Sequence, residues 1–225
     1  MRHGAFCLVL LFVCLGCRGN ADNSEGFDDG KNQKDANRKN RGDGGVPLTE
    51  SQKKAVAKLK DLGGTFQDDE DGTINGVSLR GKQVNGSTLK EIAQIPQLQA
   101  VWLSETQVND TDLKELAPLK NLQRLFLGST KVGDMGCKEL AGFPALRELD
   151  LSYTRISDNG LTELTGIHQL QKLNLSGTKI TDKGIKTLEG FKRLDHLWLG
   201  QTYLSKESVA ELQKALPNLG ISGRP

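Results

Sequence analysis

Leu125-Phe126-Leu127-Gly128-Ser129-Thr130-Lys131-Val132-Gly133-Asp134-Met135-Gly136-Cys137-Lys138-Glu139-Leu140-Ala141-Gly142-Phe143-Pro144-Ala145-Leu146 decides how the chain is read. A Leu-x-Leu pair opens this stretch, a Thr follows three residues after the second Leu, and an apolar helical spacing closes it. The same layout begins at Val77, Val101, Leu125, Leu149, Leu173 and Leu197, each 24 residues after the last. A strict period in this range is the signature of a solenoid, in which one repeat cannot bury its apolar face alone and neighbours must stack.

The columns of that register carry the detail. The second strand position is Leu in all six copies: Leu79, Leu103, Leu127, Leu151, Leu175 and Leu199. Three residues on stand Lys82 and then Thr106, Thr130, Thr154, Thr178 and Thr202. An aliphatic side chain returns two residues later, as Val84, Val108, Val132, Ile156, Ile180 and Leu204. Alternation over Leu-x-Leu predicts a short strand with both Leu side chains on one face. The spacing Leu113, Leu116, Leu119, Leu122, and likewise Leu161, Leu164, Ile167, Leu170, predicts helical or 3₁₀ turns pressed on the same core.

The stretches Leu146-x-x-Leu149-x-Leu151-x-x-Thr154-x-Ile156 and Leu170-x-x-Leu173-x-Leu175-x-x-Thr178-x-Ile180 resemble leucine-rich repeats. The segments Ser157-Asp158-Asn159-Gly160-Leu161 and Thr181-Asp182-Lys183-Gly184-Ile185 resemble the Thr-type repeats of bacterial proteins. The resemblance implies an α/β solenoid: a curved parallel sheet on the concave face, short helices on the convex face and an N-terminal helical cap. It also implies that the residue at the Thr position hydrogen-bonds backbone groups at the turn as a ladder along the solenoid, a task for which Thr, both donor and acceptor, can replace the family's Asn or Cys. Fold alone does not name a function.

Before the repeats the chain changes character twice. Residues 1–17 read as a signal peptide: Arg2 and His3 give a basic start, and Ala5 to Leu15 is an apolar run too short for a permanent span. Leu15-Gly16-Cys17 resembles a bacterial lipobox, which implies acylation at Cys17; cleavage without lipid is the alternative. Residues 18–47, poor in apolar side chains, read as a disordered tether. Residues 48–74 read as the cap. There Thr49 and Gln52 form a capping box, Ala55, Val56, Leu59 and Leu62 form one stripe, and Gly63-Gly64 ends the helix. The solenoid is expected over 75–221, with a longer final helix from Ser205 to Leu216, an edge strand at Leu219 to Ile221 and a tail at 222–225.

Chemistry-bearing motifs are few. Of four cysteines, Cys7 and Cys14 leave with the signal and Cys17 is the lipid site, so Cys137 stands alone, in a core column, and no intramolecular disulfide is possible in the mature chain. Asp69, Asp71 and Gly72 match part of a calcium loop, but Gln67 and Ser78 stand where its first and last ligands belong, so a solvated turn is expected. Arg41-Gly42-Asp43 is read as a chance tripeptide, and His168 has no ligand-spaced partner. No nucleophile elbow, phosphate loop or metal-spaced cluster is present in the sequence, so no enzyme activity, cofactor or metal is expected. The net charge of +2, about +1 without Arg2, gives no case for nucleic acid.

The functional reading therefore rests on the strand face. The middle residue of Leu-x-Leu points away from the core; down the stack these are Ser78, Trp102, Phe126, Asp150, Asn174 and Trp198. The chain's two Trp residues both stand in this column. Large aromatics facing solvent on adjacent rungs mark a contact patch. The preceding column, Arg124, Glu148, Lys172 and His196, is expected to pair across rungs. Tyr153 and Tyr203 extend the surface toward one rim. The expected binding residues are Trp102, Phe126, Arg124, Asp150, Asn174, Trp198 and Tyr153. The expected protein is a monomeric, membrane-anchored lipoprotein of the bacterial cell envelope that binds a protein or glycan through its concave sheet. An envelope spacer without a specific ligand is the second reading. The third, an intracellular adaptor of the F-box type, is opposed by the signal segment.

Overall fold

The computed structural model describes residues 47–223. The signal peptide, the lipid site Cys17, the tether up to Val46, the Arg-Gly-Asp tripeptide and the last two residues of the tail lie outside the described residues. The chain opens with helix α1 (Glu50–Asp61). Its start is fixed by the capping box: the Thr49 hydroxyl accepts from the Gln52 amide at 3.3 Å, and Gln52 Oε1 accepts from the Thr49 amide at 2.9 Å. Ala55, Val56 and Leu59 are buried against the first repeat. Leu62, expected in the same stripe, is instead the C-cap residue and is 40% exposed. Gly63, at φ +79°, reverses the chain there, a conformation open to a residue without Cβ.

Strands β1 (Thr65–Asp68) and β2 (Ile74–Ser78) form an antiparallel hairpin. In the turn between them, Asp69 Oδ1 accepts from the Asp71 and Thr73 amides at 3.1 and 2.9 Å. The carboxylate read as half of a calcium loop thus closes its own turn. From β2 onward every pairing is parallel: β3 (Ala100–Trp102), β4 (Arg124–Phe126), β5 (Glu148–Asp150), β6 (Lys172–Asn174), β7 (His196–Trp198) and β8 (Gly220–Ser222) follow one another in sequence order. Each residue faces the one 24 positions later, as in Val101↔Leu125 and Leu125↔Leu149.

Between strands the chain returns through helices α2 (Gly86–Ile92), α3 (Asp110–Leu113), α4 (Asp134–Leu140), α5 (Asp158–Glu163) and α6 (Lys206–Ala215), and through a 3₁₀ segment at Ile185–Gly190. The helices are short because each begins at a fixed N-cap and must end before the next strand. Asn85, Asn109, Ser157 and Ser205 cap them with their side chains. Both leucine positions of every rung, with the Val/Ile column and the helical Leu positions, form one continuous core. Fully burying each such Leu contributes about 2 kcal/mol. The last repeat carries the longer final helix that the sequence predicts, α6 with Ser205 as its N-cap, but the expected departure from the period is corrected at the strand: β8 pairs with β7 as Leu197↔Ile221, again 24 positions on. This architecture is a leucine-rich-repeat solenoid.

Candidate functional site

On the sheet face opposite the core, strand register sets Trp102 beside Phe126, Phe126 beside Asp150, Asp150 beside Asn174 and Asn174 beside Trp198. The Trp102 and Phe126 rings stack with centroids 5.4 Å apart and planes 8° from parallel. The Arg124 guanidinium lies 5.2 Å from the Trp102 ring and donates to Gln67 Oε1 at 3.3 Å. Gly76, with no side chain, leaves room for the Trp102 ring: a Cβ there would come within 3.0 Å of Trp102 Cζ3. At the other end His196 tilts against Trp198 at 4.1 Å and reaches Ser222 Oγ at 3.0 Å.

These aromatics are not the solvent-facing patch expected from the sequence. Trp102, Phe126 and Trp198 are 1%, 0% and 3% exposed, and Asp150 is buried too. With Ala100 the three rings make a second apolar cluster, separate from the solenoid core. Flat rings on rungs about 4.8 Å apart can stack face to face, as Trp102 and Phe126 do, and Arg124 and the space at Gly76 lie against the Trp102 ring. Asp150 is also drawn in, its Oδ1 accepting from the Ser152 amide at 2.9 Å; half-buried Asn174 repeats this with Ser176 at 3.0 Å. The preceding column pairs as expected where Lys172 meets Glu148 at 3.7 Å. Arg124 is half-buried. Of the expected binding residues, only Tyr153 is well exposed, at 53%.

Tyr153 belongs to a column that the sequence did not single out. Gly81, Glu105, Ser129, Tyr153, Gly177 and Gln201, spaced by 24, all adopt positive φ, between 54° and 67°. For a bulky side chain this conformation costs roughly 1 kcal/mol. The next residue closes the turn: Thr106, Thr130, Thr154, Thr178 and Thr202 each donate their hydroxyl to the carbonyl of the strand Leu three residues back, at 2.5–2.7 Å. The expected ladder along the solenoid is therefore corrected: the Thr bonds stay within one repeat. At this position each hydroxyl is engaged by the carbonyl of its own turn, and backbone amides, such as Glu105 N to the Gly128 carbonyl at 2.8 Å, join the rungs there.

The side-chain ladder between repeats is made by aspartates instead. Asp110, Asp134, Asp158 and Asp182 accept a backbone amide of the next rung, at Gly133, Ser157, Thr181 and Ser205, over 2.6–2.9 Å. Asp134 and Asp158 also accept the Ser157 and Thr181 hydroxyls. The first three carboxylates fill the space where a Cβ would stand on the following repeat's Gly136, Gly160 and Gly184. The first junction is inverted: Gly86 holds the aspartate position, Asp112 the glycine position, and a Cβ on Gly86 would meet Asp112 Oδ1 at 2.7 Å. The recurrence of Asp at this interval was the available signal.

Cys137 lies in this seam, fully buried. Burial, then the charges of Asp134, Asp110 and Glu163, push its thiol far above the ordinary range, which opposes a nucleophilic role. Among the described residues, no group of three His, Cys, Asp or Glu side chains is placed to hold a metal.

A family model described as "Leucine Rich repeat" matches residues 144–164 and 168–188. No curated protein matches the sequence at a significant level. Among solved structures, internalin C2 of Listeria monocytogenes is similar at 21% identity and a TM-score of 0.51, over 74% of this chain and 80% of that one. A leucine-rich-repeat protein of Leptospira interrogans is 25% identical at a TM-score of 0.48, over 59% of this chain and 33% of that one. A second Listeria monocytogenes internalin is 19% identical at a TM-score of 0.49, over 65% of this chain and 46% of its own length. The chain thus spans less than half of the last two proteins.

Proposed function

The chain is a leucine-rich-repeat protein, and on that premise we propose that it is a non-catalytic binding module, held at a bacterial cell envelope through Cys17, that takes a protein partner on its concave sheet. One observation carries the reading. Ala100, Trp102, Phe126 and Trp198 form an apolar cluster on the face opposite the core, where the solenoid needs none to close. Interfaces concentrate their energy in such aromatic and arginine anchors, and Arg124 lies against Trp102 here. The signal-like start and the lipobox resemblance support the anchored location. A glycan ligand is the alternative occupant of the same face.

The depth at which Trp102 and Phe126 are buried favours a second reading, an envelope spacer without a specific ligand whose concave aromatics are merely packed. A crosslinking pull-down from native envelopes separates the two. Wild type is compared with Trp102→Ala/Phe126→Ala, after circular dichroism shows both folded. A partner captured by wild type alone supports binding on these rungs. An identical catch moves the site elsewhere, and an empty catch from both supports the spacer. The anchor is tested by detergent-phase partitioning: wild type should enter the detergent phase and Cys17→Ser the aqueous one, and identical partitioning of both into water rejects lipidation.

A further inference from the structure

We infer that the edge of the solenoid just past the strands is a second docking surface, and that its partner is an acidic polypeptide segment. Lys131, Arg155, Lys179 and Tyr203 hold one register position in successive repeats and are all exposed. Parallel bridges Asn109↔Lys131, Gly133↔Arg155, Ser157↔Lys179 and Thr181↔Tyr203 tie these positions into a file, with rungs about 4.8 Å apart. None of the three cations makes an ion pair among the described residues, whereas Lys90 and Lys138 on the helices lie 3.9 and 3.8 Å from Glu115 and Glu163. The carboxylates nearest in sequence, Asp134, Asp158 and Asp182, are turned along the stack onto the next rung's amides.

The second observation is Tyr153, two residues before Arg155. It is the one aromatic in a column of Gly, Glu, Ser and Gln, held at φ 54° where a large side chain is disfavoured. Its ring lies over Gly177, where a Cβ would collide with it. Nothing in the solenoid requires a tyrosine there, and it stays exposed. Tyr203, 73% exposed, ends the same edge. Three cations in file, with one accessible tyrosine beside the second and another at the end, suit a chain carrying carboxylates among apolar side chains. The surface uses neither Trp102 nor Phe126, so it stands or falls separately from the concave-face reading.

The test uses the full chain and a fluorescein-labelled oligoglutamate peptide, followed by fluorescence anisotropy at low and moderate salt. Wild type should bind, with affinity falling as salt rises. Lys131→Glu/Arg155→Glu/Lys179→Glu should weaken binding about tenfold or more. The same charge change at exposed Lys114, Lys120 and Lys192 should weaken it less than threefold, that being what a smeared net-charge effect would produce. A peptide bearing tyrosine-facing apolar residues between its acids should bind tighter, and Tyr153→Ala should remove that gain while leaving the salt dependence unchanged. Circular dichroism confirms that each variant folds. Absence of wild-type binding, or equal losses from the edge and control triples, would overturn the inference. So would polyphosphate binding that exceeds peptide binding and ignores Tyr153→Ala, since that would make the edge a site for anionic polymers generally.

Discussion

The two faces of the same three-residue strands obey different rules. On the core side, each rung offers Leu at the second position from Leu79 to Leu199, all fully buried in one cluster. On the other side the column runs Ser78, Trp102, Phe126, Asp150, Asn174, Trp198, with no repeated chemistry. A buried column at about 4.8 Å rung spacing must interlock with its neighbours above and below, so one side chain shape recurs. The outward column has no helix layer to match and is free to vary. Leu127 and Phe126, adjacent in sequence and both fully buried, give the sharpest contrast. Leu127→Ala should cost about 3–4 kcal/mol, because a cavity in the middle of the stack unseats both neighbouring repeats. Phe126→Ala should cost less, about 2 kcal/mol, since the residue belongs to the small outward cluster and not to the continuous core. Urea denaturation measures both; equal losses would make the outward cluster a second core and erase the distinction.

The seam between repeats sharpens the comparison, since there two columns vary together. Asp158 occupies the space above Gly184, whereas at the first junction Gly86 lies beside Asp112. Gly184→Asp alone should destabilise by about 2–3 kcal/mol through overpacking and two facing carboxylates. Adding Asp158→Gly recreates the first junction's arrangement and should restore at least about 1 kcal/mol. A double variant no more stable than Gly184→Asp would show that the clash lies elsewhere in the turn.

Much of this was legible in the sequence, and the boundary between what was and was not is physical. The period, the strand faces, the α1 capping box and the longer final helix follow from local periodicity and capping chemistry, which act over a few residues. The outward direction of Trp102 and Phe126 was legible for the same reason. Their burial was not: the Trp102–Phe126 stack, the Arg124 contact and the hollow that Gly76 leaves are contacts between side chains on different rungs, which no motif within one repeat announces. The Thr hydroxyls sit at the turn that the sequence implies, but their bonds end at the Leu carbonyl of the same repeat. The Asp column was in plain view in Ser157-Asp158-Asn159-Gly160 and Thr181-Asp182-Lys183-Gly184. Its meaning lies in a partner 23 residues away, as from Asp158 to Thr181, which a motif read within one repeat does not reveal.

Thr130 tests the turn that separates the two faces. Its hydroxyl donates to the Leu127 carbonyl at 2.6 Å in a buried setting. Thr130→Val keeps the shape, removes the donor and adds a methyl group; the turn should lose about 1 kcal/mol. Thr202→Val, at the half-buried last turn where water can reach, should lose less. The ranking is read from the urea midpoints of the two variants, and a larger loss at Thr202 would show that solvent access does not set the worth of this bond.

The smallest effect is expected at the exposed end of the seam. Asp182 is held below the ordinary carboxylate range, first by the Ser205 amide, then by the Ser208 hydroxyl and, more weakly, by the Ser205 hydroxyl. A carboxylate whose folded value is depressed adds stability above its unfolded value, near 3.9, and loses it as pH falls through the folded one. Asp182→Asn should therefore be less stable than wild type near neutral pH, and the gap should close below about pH 4. The gap should be small because Asp182 is open to water, unlike the half-buried Asp158 one rung earlier, and screening weakens what its charge adds to the hydrogen bonds. Thermal denaturation of both proteins across that acid range decides the matter. A gap that persists unchanged would mean that the seam needs the shape of the side chain at 182 and not its charge, so that the aspartate ladder would be, at this end, a packing device like the leucines on the other side of the repeat.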